Sequence, residues 1–354
     1  MLLKYVWKDG KKKALTFSYD DGNIHDRRLV EIFAKYGMKG TFNLCRPQST
    51  EWHIPMEEYK SLYLDNGQEI ACHAKTHPFL EQIPLMSVLE EILENRKDLE
   101  AAAGVPVRGM AYPFGTLSSS GACAPDVKEV LRSAGIVYAR TTHPEERIQC
   151  VPSDFLEWHP TCHHNGNIME RAEKFLANPW GTQLLYIWGH AFEFANAKNW
   201  DLIENFCAKY TNDDRIWYAT NGEIYDYVTA CRRLITSADC SIVQNPSAQS
   251  VWIEHDKQIV ENKGGATVHR KVYHPPKNAG NLCTKVSPQI NRQFLLHGFV
   301  CVGRIDQTAH IHFFQVFSDP FFLEIDQISR VGKHIHRQLD HIILTVKEQV
   351  GIPA

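Results

Sequence analysis

No stretch of this chain is apolar enough to cross a bilayer, and its charges nearly cancel: 38 Lys and Arg stand against 41 Asp and Glu, a formal net charge of −3. The first absence leaves no membrane partner to expect. The second removes the electrostatic footprint that nucleic acid requires. The one basic run, Lys11 to Lys13, is short and reads as a solvated hairpin turn. The ten cysteines include no C-x-x-C pair and follow no regular spacing, so they read as reduced, buried thiols rather than a disulfide framework. The opening MLLKYVWKDGKKKALTF has too few apolar residues before Lys4 and Asp9 to form a leader core, which sets the expectation of a cytoplasmic protein. Internal repeats and low-complexity tracts are lacking as well.

What is present is a long alternation. With 354 residues, 44% of them hydrophobic, the chain can bury one large core and carry an appendage. KALTFSYDD reads as a strand, and HDRRLVEIFAKYG as a helix that ends at Gly37. KGTFNL, QEIACH, VRGMAYPFG, IVYAR, TQLLYIWGH and IWYAT continue the strands, interleaved with helices such as MSVLEEILENRKDLEAAAG and NWDLIENFCAKYTN. Strand followed by helix, repeated with short connections, predicts a parallel sheet or barrel. Past residue 235 the texture becomes β-rich with turn signals at Asn-Pro and Gly-Gly. The expected organisation is therefore a catalytic domain over 1–235, a small β-rich unit over 236–270 and a C-terminal extension over 271–354. In that extension Ile328, Val331, Ile335, Leu339, Ile342, Val346 and Val350 recur at helical spacing, which suits a helix covering a core or the seam of a homo-oligomer.

The chemistry gathers where an α/β fold puts it, at the carboxyl ends of the strands. FSYDDG closes the first long strand with two adjacent carboxylates, Asp20 and Asp21, which both stay ionised only beside something positive. His73 and His77 follow the strand QEIACH in the order H-A-K-T-H, a spacing that places two histidines on one face of a helical turn, where they can share one ion. Tyr112 to Gly115 follow VRGMA, and His190 closes TQLLYIWGH. A divalent cation held by one aspartate, His73 and His77 would supply the positive charge and keep open positions. The other aspartate then serves as general base and a histidine on the far side as general acid, the equipment of a metal-dependent hydrolase.

The order T-F-x-x-D-D-G, then H-x-x-x-H about fifty residues on, then a P-F-G loop, then a late apolar strand ending in histidine, resembles the polysaccharide deacetylase family over roughly residues 10 to 230. The resemblance implies a distorted (β/α) barrel and metal-dependent removal of acetyl groups from an acetylated amino sugar, oligosaccharide or polysaccharide. It casts Asp20 as the base, Asp21, His73 and His77 as metal ligands and His190 as the acid. It gives Phe114 a backbone N–H for the oxyanion, with Tyr112 lining the same pocket. It implies zinc as the metal, with cobalt, nickel, manganese and iron also suited to the ligand set. The sequence departs from the family pattern in three places. Ser18 and Tyr19 stand between Phe17 and the aspartates. Ala111 occupies the position of the arginine that holds the base, which leaves Arg140 or Arg108 to reach it from another strand. The aspartate and tryptophan that buttress the acid have a loose echo in Asp154 and Trp158. His163, His164 and Glu193 lie in unusual polar stretches and are candidates for contact with substrate, metal or the acid. Two other readings stay open: an amidohydrolase acting on a small cyclic amide or ureide, and a carbohydrate-binding relative without turnover.

Overall fold

The computed structural model describes residues 3–145, 151–255, 257–269, 301–305 and 311–315. The chain divides into two compact units, Met1–Tyr273 and His274–Ala354. In the first, β1 (Lys4–Val6) precedes β2 (Lys13–Asp20), α1 (Asp26–Tyr36), β3 (Gly40–Leu44), α2 (Tyr59–Leu62), β4 (Glu69–Cys72), α3 (Leu85–Ala103), β5 (Gly109–Ala111), α4 (Pro125–Ser133) and β6 (Tyr138–Arg140). Then come β7 (Cys162–His163), α5 (Ile168–Ala177), β8 (Gln183–Gly189), α6 (Ala191–Ala197), α7 (Trp200–Tyr210), β9 (Ile216–Tyr218) and α8 (Asn221–Arg232). Five short strands complete the unit: β10 (Ile235–Thr236), β11 (Ile242–Gln244), β12 (Val251–His255), β13 (Gln258–Asn262) and β14 (Thr267–His269).

β2 is the centre of the architecture. All eight of its residues are buried, as expected of a parallel strand covered on both faces. Leu15, Phe17 and Tyr19 pack into the large core that the outer helices cover, while Thr16, Ser18 and Asp20 face the other way into hydrogen bonds. Parallel neighbours extend from it in the order β6-β5-β4-β3-β2-β8-β7, and β9 pairs with its first residues. The stretch after β6 returns to close this sheet on itself. Trp158 N donates to Ala139 O at 3.0 Å, Thr141 N donates to Trp158 O at 3.0 Å, and Thr161 N donates to Tyr186 O at 2.7 Å. One short stretch therefore joins β6 to β8, and the result is a distorted (β/α) barrel.

The α1 stripe predicted by its spacing is buried through Leu29, Val30, Ile32 and Phe33, and the helix stops at Gly37 in the left-handed conformation that glycine tolerates best. The barrel interior is unusually polar. Glu69 accepts hydrogen bonds from Thr41 Oγ1 (2.7 Å), Tyr138 Oη (2.8 Å) and the Gly222 N–H (2.8 Å) at the start of α8. Burial pushes its carboxyl above the usual range, with these donors opposing the rise. A methyl group on Gly109 would sit 1.9 Å from Tyr138 Cζ. Gly109→Ala is therefore expected to displace that ring, break its bond to Glu69 and lower unfolding free energy by about 3 kcal/mol, read from urea denaturation.

The segment after α8 is not a sheet closed within itself. β12 pairs antiparallel with both β13 and β1, tying the N-terminal strand to the late hairpin, and β10, β11 and β14 form a second small sheet. In the second unit Cys301–Ile305 (β15) and Ile311–Gln315 (β16) form an antiparallel pair. The linker HPPKNAG and the helical stripe Ile328 to Val350, with the homo-oligomer seam expected there, lie outside the described residues. Among the described residues no helix is long and apolar enough to cross a membrane.

Candidate active site

The carboxyl ends of β2, β4, β6 and β8 meet at one mouth of the barrel. β2 delivers the carboxylates in two directions. Asp20, the last strand residue, is buried, whereas Asp21 has turned into the left-handed region (φ 80°), with Gly22 continuing it (φ 69°). Asn43 fixes this turn: its carbonyl accepts the Asp21 N–H at 2.9 Å, and its Nδ2 donates to Asp20 Oδ1 at 2.8 Å.

Asp20 meets its positive partner on the other oxygen. Arg140 Nη2 donates to Asp20 Oδ2, and the guanidinium is fully buried, 4.4 Å from the ring centre of Trp188. Burial alone would raise the Asp20 carboxyl; Arg140, with His73 and His190, outweighs it and holds the group below the ordinary carboxylate range. Arg108 lies elsewhere, in an exposed two-pronged pair with Asp226. Its strand position, before β5 rather than at the end of a strand, keeps it from the mouth.

His73 and His77 come together, but not on a helical turn. The chain leaves β4 in a loop whose Ala74 (φ 57°) and His77 (φ 59°) are left-handed. His73 Nδ1 lies 2.9 Å from the carbonyl of Ala111. A carbonyl only accepts, so Nδ1 carries the hydrogen and Nε2 presents a lone pair. That Nε2 is 3.1 Å from His77 Nε2, and both are 3.5 Å from Asp21 Oδ1. Three donor atoms of the kind that bind zinc and its neighbours thus converge on one point. Burial, then the nearby His73, keeps the His77 imidazole below its usual pKa, which favours the neutral form that a cation needs.

His190 stands opposite, its Nε2 3.9 Å from Asp20 Oδ2 and 3.9 Å from Asp21 Oδ2. Its pKa is raised although burial opposes this, because Glu193 and the two aspartates favour the charged ring. Glu193, in the first turn of α6, lies 3.3 Å from His190 Nδ1 through one oxygen. Through the other it lies 2.9 Å from His163 Nε2 and 3.0 Å from His164 Nε2. Burial would raise its carboxyl, but three imidazoles hold it well below the usual range.

Two expected site residues are placed otherwise, and one is where it was expected. Tyr112 is buried, and its hydroxyl donates to Leu156 O at 2.8 Å, so it faces the wall behind the mouth rather than a pocket. Asp154 caps the turn at 155–157 and pairs with Lys128 and Arg132 on the outer helix α4, away from His190. Phe114 is at the mouth: with φ 61° its ring is 61% exposed and stands edge-on to His77 at 4.5 Å. Asn43 and Asn95, whose Oδ1 accepts the His73 N–H at 3.0 Å, are further members of the site. The one sequence signal for Asn43 is an amide inside the apolar run GTFNL. Cys72, next to His73, is fully buried.

Paired carboxylates, two histidines and an opposed histidine at the carboxyl mouth define the class, a parallel (β/α) barrel with a candidate metal centre at that mouth. Residues 8–139, which carry Asp20, Asp21, His73, His77 and Phe114, match the family model described as polysaccharide deacetylase. Comparison with curated proteins finds no match. Among solved structures, a Streptococcus pyogenes deacetylase in complex with acetate is 19% identical (TM-score 0.33) over 36% of this chain and 55% of that one, so the chain spans about half of that protein. A putative polysaccharide deacetylase from Mycobacterium smegmatis is 18% identical (TM-score 0.48) over 65% of this chain and 94% of that one. A pseudoenzyme of carbohydrate esterase family 4 from Bacillus anthracis is 16% identical (TM-score 0.40) over 63% and 68%. Likeness of this degree says nothing of substrate.

Proposed function

We propose that the protein is a divalent-metal-dependent hydrolase that removes acetyl groups from an N-acetylated amino sugar within an oligosaccharide or polysaccharide. The observation that carries this reading is the convergence of Asp21, His73 and His77 beside a separate carboxylate, Asp20, that is buried and already held ionised. Asp21, His73 and His77 would hold the cation, which would supply polarisation of a carbonyl oxygen and a lowered pKa for water. Asp20, pinned by Asn43 and Arg140, accepts the proton of the attacking water. The Phe114 N–H, which makes no backbone hydrogen bond among the described residues, would serve as the donor to developing oxyanion charge. His190 Nε2, across the mouth, gives its proton to the departing amine nitrogen.

The mouth is open rather than enclosed: the side chains of Asp21, His77 and His190 keep roughly a fifth to a quarter of their exposure. Exposed rings flank it on both sides, Phe114 stacked on Phe79 by the ligand histidines and Trp52 beside Phe192 by the acid. An open site with aromatic rims suits a saccharide better than a small cyclic amide, which is why the saccharide reading is preferred.

The test is acetate release from N-acetylglucosamine oligomers, after chelation and then with zinc or cobalt restored, in wild type and His77→Ala. Chelation is expected to abolish release and metal to restore it, while His77→Ala weakens metal binding by about 10- to 100-fold or more. Metal bound through His77 with no acetate released from any oligomer would reject the saccharide reading and turn the search to cyclic amides.

A further inference from the structure

We infer that Glu193 is the positioning residue for His190, and that His163 and His164 act through it by clamping its second oxygen. The inference rests on the deacetylase reading for the role of His190. The residue expected from the sequence to support the acid, Asp154, is committed to Lys128, Arg132 and a turn cap, so the acid is held by something else.

Glu193 meets that need. It lies three residues after His190, and its Oε1 is 3.3 Å from His190 Nδ1 while its Oε2 accepts from the His190 backbone N–H at 3.4 Å. A carboxylate beside Nδ1 keeps the hydrogen there and aims Nε2 at Asp20 and Asp21. Oε2 lies in turn 2.9 Å from His163 Nε2 and 3.0 Å from His164 Nε2, within ion-pair reach of both. The clamp is built into the fold. His164 is fully buried between Phe194, 4.1 Å away and nearly parallel, and Tyr19 on β2. Its ring fills the space that a side chain at residue 189 would need, since a Cβ on Gly189 would stand 2.0 Å from His164 Nδ1. One residue before the acid, the strand thus carries glycine where the clamp passes.

The experiment compares wild type with Glu193→Gln and the milder His163→Gln, whose ring is half-buried and whose loss leaves the core intact. Three readouts are needed: steady-state acetate release, bound metal per chain, and imidazole ¹⁵N spectra of His190. Glu193→Gln is expected to lower kcat by about 100-fold at little-changed KM, to keep one metal per chain and, at a pH high enough for the His190 ring to be neutral, to shift that ring from a single Nδ1–H tautomer to a mixture. His163→Gln should show the same signature with a smaller loss. Wild-type kcat in Glu193→Gln, or an unchanged His190 spectrum, would overturn the inference. So would a second metal per chain that these variants lose, because His163, His164 and Glu193 also bring three donor atoms within 4.8 Å and would then be an ion site. If wild type releases no acetate, the deacetylase reading fails, and the His190 spectra still decide whether Glu193 sets that ring.

Discussion

Asp20→Asn is expected to lower kcat for acetate release by two to four orders of magnitude, the range for removing a positioned general base, while the metal content stays at the wild-type level. The separation follows from direction. Asp21 turns out of β2 toward His73 and His77, whereas Asp20 points into the barrel, so the two neighbours carry different duties. An amide at residue 20 can keep the Asn43 contact but cannot take a proton from water. Single-turnover kinetics with metal analysis checks this; loss of metal in Asp20→Asn would mean that the ligand is Asp20.

Arg140→Met is expected to cost about 3–5 kcal/mol of stability at pH 7 and to lower Tm by on the order of 10 °C, because it leaves the buried Asp20 carboxylate without its cation. The pH dependence carries the sign. In the native protein the Asp20 pKa lies below its unfolded value, so the pair's contribution is complete above the ordinary carboxyl range, about pH 4, and is lost as pH falls through the lower folded pKa. Without Arg140, burial dominates and raises the folded pKa, so the variant's native state holds a proton that the unfolded chain releases. Its deficit against wild type should therefore shrink on acidification from pH 7 toward pH 5. Thermal melts in chelator across that range decide it; a deficit that grows toward acid would contradict the assignment of Arg140 to Asp20.

How much of this was legible follows from where the signals lie. Strand ends could be read because apolar runs such as TFSY and LLYIW stop abruptly at polar residues, and helices because their stripes end at glycine. The barrel, the carboxylate pair and the histidines all sit on those boundaries. The route by which His73 and His77 meet was not legible, since left-handed backbone at Ala74 and His77 falls on residues that do not announce it. Tyr112 and Asp154 mislead for another reason. A tyrosine or aspartate beside a functional loop looks the same whether its polar end faces the mouth or a backbone carbonyl behind it, and only the closed barrel determines which. The clamp on Glu193 depends on contacts across 30 residues of chain, beyond the reach of any local pattern.

The seam of the barrel has one more consequence. The ring of strands is joined where Trp158 bridges Arg140, and Arg140 is also the cation that holds Asp20. Closure and charge therefore meet in one residue: Arg140 takes the bridge from Trp158 through its backbone and pairs with Asp20 through its side chain.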